Sequence, residues 1–306
     1  MGDIAKGVLG GGWALLVGWI LPTALNLAVF TIAVAPSLHD PTLADLLRRA
    51  SNGDKTLLFL VAAVLLGLVL NALQTPLYRF LEGYALWPAR AYERGRRVQR
   101  ARRQRIADRA ARATATLQQA LLSEKLSRYP VDEEQVAPTR LGNAIRRFEE
   151  YGYDRYQLDT QVLWNELTIA APEETRRVVD TARTHVDFFV ALLYGHAAVA
   201  LCAVGALASS RPDELVPLVT AGVLAALIPV WYHAAVAATD EWAAAVRALV
   251  NLGRKPLAES LGLVLPKELA DERTMWHLVT RMSRRPYAPA AEAAFAPYRA
   301  GSPEQP

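Results

Sequence analysis

Five histidines (His39, His185, His196, His233 and His277), one cysteine (Cys202) and the acidic pairs Glu149-Glu150 and Glu173-Glu174 hold most of the chemical potential of this sequence. A metal site on a helix needs ligands on one face. No two of these histidines stand at i,i+4, and Cys-x-x-Cys spacing is absent. Acyl transfer through a serine elbow needs Gly-x-Ser-x-Gly, which does not occur. The glycines Gly10 and Gly12 are followed by no Gly-Lys-Ser/Thr, so they form no phosphate loop. Adjacent carboxylates project from different faces of a helix and read as solvated or capping charges. A lone cysteine allows no intrachain disulfide. No catalytic, metal or cofactor constellation is expected, and the chain does not read as an enzyme.

The polar side chains that stand out are those in apolar surroundings. Four stretches, Gly7–Leu38, Thr56–Tyr78, Phe188–Ser210 and Leu215–Thr239, contain no Asp, Glu, Lys or Arg. Each is long enough to cross a bilayer core, which takes about 20 residues as a helix. Within them lie Asn26, Asn71, His196 and His233. Helix rise puts His196 near mid-membrane, with Asn71 and His233 towards the inner side. Polar groups at such depth face either a neighbouring helix or a water-filled path, and these four are candidates for both. The fold class expected is all-α: a polytopic membrane protein with four transmembrane helices and a helical cytoplasmic domain.

The basic residues orient it. The loops after the first and third spans hold four Lys and Arg, against 30 before the first span, between the second and third, and after the fourth. The positive-inside rule then places both termini and the middle segment in the cytoplasm of a multi-pass cell-membrane protein. The expected division is 1–78 (spans one and two), 79–187 (cytoplasmic domain), 188–239 (spans three and four), 240–285 (cytoplasmic helical extension) and 286–306 (a tail rich in Ala and Pro, without fixed structure). Tyr78, Phe80, Tyr84 and Trp87 suit an interfacial belt, as do Trp231 and Tyr232.

Between Arg90 and Arg112 stand ten arginines against Glu93 and Asp108. Val98, Ile106, Ala110, Ala113, Leu117 and Leu121 form a narrow apolar stripe, predicting one long helix continuing inward from the second span. Arg90, Arg94, Arg96, Arg97, Arg100, Arg102 and Arg103 are candidates for anionic lipid headgroups or a cytoplasmic protein partner. Nothing aromatic interleaves them after Tyr92, and nucleic acid is not an expected partner. In the first span Gly7, Gly11, Ala14 and Gly18 put small residues on one face, for packing within the chain or for self-association. Pro22 and Pro229 are expected to kink their helices.

The stretch Pro138–Trp164 reads as soluble-domain sequence. Thr139 caps a helix burying Leu141, Ile145 and Phe148 and ending at Gly152; Asp159 caps another burying Val162, Leu163 and Leu167. Pro172-Glu173-Glu174 opens a third helix that runs through Val178, Val179 and Ala182 into the third span. The fourth span continues to Leu252, before Gly253 and Pro256 interrupt it, and a helix after Pro266 returns Leu269, Met275, Trp276 and Leu278 to the domain.

The words "PTRLGNAIRRFEEYGYDRYQLDTQVLW" and "ADERTMWHLVTR" resemble a group of uncharacterised actinobacterial integral membrane proteins. Where Trp-Pro-Arg-Leu would be expected, this chain has Trp164-Asn165-Glu166-Leu167. The resemblance implies the four-span architecture and no activity. The function expected from that architecture is a homo-oligomeric, channel-like assembly gated by the cytoplasmic domain; the alternative is a non-conducting anchor whose helical domain recruits a cytoplasmic partner.

Overall fold

The computed structural model describes residues 12–37, 52–207, 215–286 and 289–299. Among them there is no strand, only an isolated antiparallel bridge between Leu263 and Arg299, so the chain is all-α. Four helices are long and apolar enough to cross a membrane: α1 (Gly12–Ser37), α2 (Asn52–Ala72), α9 (Glu173–Leu207) and α10 (Leu215–Ser260). Between them lie α3 (Gln74–Glu82), α4 (Ala89–Arg112), α5 (Thr116–Leu126), α6 (Arg140–Glu149), α7 (Tyr151–Tyr156) and α8 (Trp164–Ala170). The last described helices are α11 (Leu269–Arg284) and α12 (Pro289–Phe295), followed by a 3-10 turn at Ala296–Tyr298.

Two compact units result. Described residues up to Arg79 and Asp180–Ala238 form the first; Phe80–Val179 and the described residues from Thr239 onward form the second. The boundary expected after residue 187 therefore falls at Val179. The intervening turns of α9 belong with the apolar helices, because Thr184 and Asp187 pack on Gly18 of α1 and Arg183 donates to Gln74.

In the first unit, α1 is not a plain α-helix. Leu16–Ile20 and Phe30–Val34 are π turns, in which the Leu21 and Ala35 N–H groups reach back to the Leu16 and Phe30 carbonyls. The first ends just before Pro22, whose missing N–H breaks the regular ladder. Thr23 Oγ1 and Asn26 Nδ2 donate to the Trp19 and Pro22 carbonyls at 2.6 and 2.8 Å. Val34 of α1 packs with Val199, Ala200, Ala203 and Ala206 of α9 and Ala221 and Leu224 of α10. α10 passes over Pro229 without interruption.

The single long helix expected after the second span is broken three times: at Leu73, between Glu82 and Ala89, and between Arg112 and Thr116. Pro76 contributes no N–H near the first break, and Gly83 (φ +92°) and Leu86 (φ 60°) turn the chain at the second. The apolar stripe proposed for that helix does not form a core, since Val98, Leu117 and Leu121 are exposed.

The second unit follows the expected pattern more closely. Thr139 Oγ1 accepts from the Gly142 N–H at 3.0 Å, and Leu141, Ile145 and Phe148 are buried. Gly152 does not terminate α6. It lies inside α7, whose end is turned by Gln157 at φ 59°. Asp159 Oδ1 accepts from the N–H groups of Gln161 and Val162, and α8 starts later, at Trp164. α9 opens at Glu173 directly after Pro172, as expected.

Two further expectations are corrected. α10 does not stop at Gly253 and Pro256 but runs on to Ser260. Gly253 sits so close to α8 that a Cβ there would lie 2.9 Å from Leu167 Cδ1, and Leu257 and Ala258 are buried, so packing sustains the last turns. The tail expected to lack structure is helical over Pro289–Phe295. It buries Phe295, and the Val264 N–H donates to the Tyr298 carbonyl at 2.8 Å.

Candidate functional site

Two groups of side chains were singled out by the sequence, and each lies within one unit. In the first unit, Asn26 and His196 meet. Asn26 Oδ1 and His196 Nδ1 are 2.8 Å apart, and both residues are buried. The Asn26 amide already donates through Nδ2 to Pro22, so its oxygen accepts, and the imidazole carries its proton on Nδ1. Trp231 stands edge-on to the His196 ring at 5.8 Å and stacks on Phe189. It therefore packs within the bundle, half-buried. His233 is exposed and Asn71 half-buried, and neither joins the pair. Gly18 is buried against α9, the intrachain packing reading of the small-residue face, while Ala14 is half-buried. Gly7 and Gly11 lie outside the described residues.

Sequence reasoning missed Asp187. It is buried inside α9, accepts from Tyr78 Oη at 2.7 Å and from the Trp19 side chain, and has Arg183 Nε 3.8 Å away. Tyr78 is thus an internal donor, not a belt residue. The available signal was an acidic residue four positions after Arg183, at the border of an uncharged block.

In the second unit, the arginines of α4 divide by helix face. Arg96, Arg100 and Arg103, at i, i+4 and i+7, turn to the loop before α6. Arg96 donates to the Val136 and Glu134 carbonyls (3.0 and 2.5 Å), Arg100 to Glu133 (3.2 Å) and Arg103 to Val131 (3.0 Å). Arg146 of α6 completes the set on the Gln135 carbonyl at 2.6 Å. These guanidinium groups hold a segment whose only regular structure is one 3-10 turn at Glu133–Gln135, and they supply donors to carbonyls that this turn, Glu133 apart, leaves open. Arg90, Arg94 and Arg97 are exposed, and Arg102 lies half-buried between the two faces.

That held segment leads into the Pro138–Asn143 words, which prove structural. Pro138 lodges between Gly83 and Gly95, where a Cβ on Gly95 would come within 2.7 Å of its ring. Asn143 Oδ1 accepts from the Ala137 N–H (2.7 Å), and its Nδ2 donates to the Ala137 and Thr139 carbonyls (3.0 and 2.7 Å). Three tyrosines of this unit also serve packing: Tyr129 and Tyr156 are buried, and Tyr151 and Tyr156 both donate to Asn251 Oδ1.

Glu150 is half-buried, and its Oε1 is covered without a hydrogen-bond partner. Burial, helped by the Asp154 charge and opposed by Arg146 and Arg147, pushes its carboxyl up to about 7. Burial and the Glu82 charge move Glu149 the same way, also to about 7. Glu149 is exposed overall, so Glu150 carries the larger share of any pH effect. An acid whose pKa is higher folded than unfolded keeps its proton better when folded. Its stabilisation is complete below its ordinary pKa of 4.5 and is lost as pH rises through about 7. The unfolding midpoint of the second unit is therefore expected to fall across that window, and Glu150→Gln to flatten the fall. Denaturation across a pH series checks this; an unchanged slope in Glu150→Gln would remove Glu150 as its source.

Among the described residues no group of three His, Cys, Asp or Glu could hold a metal ion. Comparison with family models, curated proteins and solved structures finds no match, so the functional reading rests on the geometry of this chain.

Proposed function

We propose that this chain is a multi-pass cell-membrane protein whose apolar unit is a non-conducting anchor, holding the helical unit at the cytoplasmic surface to recruit a protein partner. The observation that carries the reading is the Asn26–His196 pair. An ion path lined by polar side chains needs them to face water. His196, which helix rise puts near mid-membrane, instead bonds Asn26 between α1 and α9, as helix-joining side chains do. The distribution of basic residues supports the cytoplasmic placement of the second unit. That unit has its own core, with Leu141, Leu249, Met275 and Trp276 buried, yet leaves Ile169 76% exposed. Such apolar side chains are available to a partner.

The test is mass and flux together. The purified chain in nanodiscs is expected to scatter light as a monomer or dimer, and proteoliposomes to show no ion flux above protein-free vesicles. A closed ring of many copies, with a flux altered by His196→Leu, would replace the anchor with a channel.

A further inference from the structure

The carbonyl-bound arginines account for only part of the charge on α4. At about 100° per residue, Arg90, Arg94, Arg97, Arg105, Arg109 and Arg112 fall within an arc of about 120°, nearly opposite Arg96, Arg100 and Arg103. All six are exposed. Arg112 Nε donates to the Asp108 carbonyl at 3.0 Å, and the other five make no hydrogen bond or ion pair among the described residues. The acid on this face is Asp108, and its carboxylate accepts from Gln104. Glu93 stands at the border between the two faces, 3.6 Å from Arg96. A surface helix with so many unpaired like charges is self-repelling unless an anionic surface neutralises it.

We infer that this outer face of α4 docks on an anionic bilayer surface. Three observations choose the bilayer among polyanions. Residues 73–88 are all that separates α4 from the apolar helix α2, so a membrane holding α2 stands at high effective concentration. Val98, on the same face by helix angle, is 54% exposed, and α5 adds the exposed Leu117 and Leu121. An apolar side chain among arginines suits the headgroup boundary, where guanidinium groups meet phosphates and the aliphatic group enters the acyl edge. The arginine face also lacks the aromatic platforms that hold single-stranded nucleic acid. The inference deepens the anchor reading and rests on it for the chemistry of the leaflet, not for the contact itself.

The experiment uses the full chain with Cys202→Ser and Ala101→Cys, labelled at position 101, which is exposed on the arginine face. The labelled chain is placed in nanodiscs of phosphatidylcholine alone or mixed with phosphatidylglycerol, each carrying a quencher near the headgroup. Quenching is expected to be several-fold stronger in the anionic discs and to weaken with added salt. Arg94→Glu, Arg97→Glu and Arg105→Glu combined should reduce it to the phosphatidylcholine level while leaving the thermal midpoint unchanged, since none of the three side chains is bonded. Equal quenching in both lipids, or anionic quenching that survives the triple variant, overturns the proposal. So does a label indifferent to phosphatidylglycerol that responds to an added oligonucleotide, which would assign the face to nucleic acid. Both faces of a nanodisc carry the same lipid, so a wrong orientation in the cell leaves this result untouched. Loss of lipid contact likewise leaves the anchor reading standing.

Discussion

Truncation of Glu272 to Ala is expected to lower the stability of the second unit by about 3–5 kcal/mol, the usual loss when one partner of a buried ion pair is removed. Glu272 is 4% exposed in the first turn of α11. Both of its oxygens lie 2.5 Å from Arg254 Nη1, and Oε1 also accepts from Trp276 Nε1 at 3.1 Å. The Arg254 guanidinium covers the Tyr156 ring at 4.4 Å. Removing the carboxylate strands a cation above an aromatic ring and a buried indole N–H, and it forfeits a negative charge at the positive end of a helix. Replacing both partners together, Arg254→Leu with Glu272→Leu, should cost much less, because no charge is left unpaired. Denaturation followed by tryptophan fluorescence reads both results. A loss below about 1 kcal/mol for Glu272→Ala, the range of solvated pairs, would show that water reaches the site.

Neither Arg254 nor Glu272 is conspicuous in the sequence, and the reason is general. Features written within a few residues were legible: four uncharged blocks long enough for helices, the Thr139 cap with its Leu141–Ile145–Phe148 stripe, and the continuation of Glu173-Glu174 into an apolar helix. Partners chosen by tertiary contact carry no such local mark. Arg96 reaches the Val136 carbonyl across 40 positions and Asp187 receives Tyr78 across 109, so an arginine run read as surface charge is in part internal clamp. Breaks were also misplaced where packing overrode propensity. Gly253 and Pro256 look like a stop, but burial carries the helix past them, whereas the stop after α3 depends on left-handed backbone at Gly83 and Leu86. Tyr78 is of the type expected in an interfacial belt and holds the position of a bundle residue.

Asn143 is where the Pro138–Asn143 words concentrate their energy, and Asn143→Ala should cost about 3 kcal/mol or more. Its amide is 1% exposed and satisfies three backbone groups at once, the Ala137 N–H and the carbonyls of Ala137 and Thr139. Each buried group left unsatisfied costs about 1–3 kcal/mol, and the loss falls on the two Ala137 groups, since the Thr139 carbonyl keeps its bond from the Asn143 N–H. Asn143→Asp separates this account from simple loss of volume. Aspartate retains the acceptor for the Ala137 N–H, but it replaces the donor with a carboxylate oxygen facing two carbonyls. At neutral pH it should therefore be at least as damaging as Ala. Burial against two carbonyls raises the pKa of such a carboxyl, and once protonated it regains one donor, so part of the loss should return as pH falls from neutral, with the recovery complete below about 4, the ordinary aspartate value. Asn143→Leu keeps the bulk without polar atoms and should fall with Ala, showing no recovery in acid. Thr139→Ala removes only the cap of α6 and should cost about 1 kcal/mol. If Asp and Leu proved equally mild, Asn143 would be a space-filler, and the grip on the segment entering α6 would pass to Pro138 in its slot between Gly83 and Gly95.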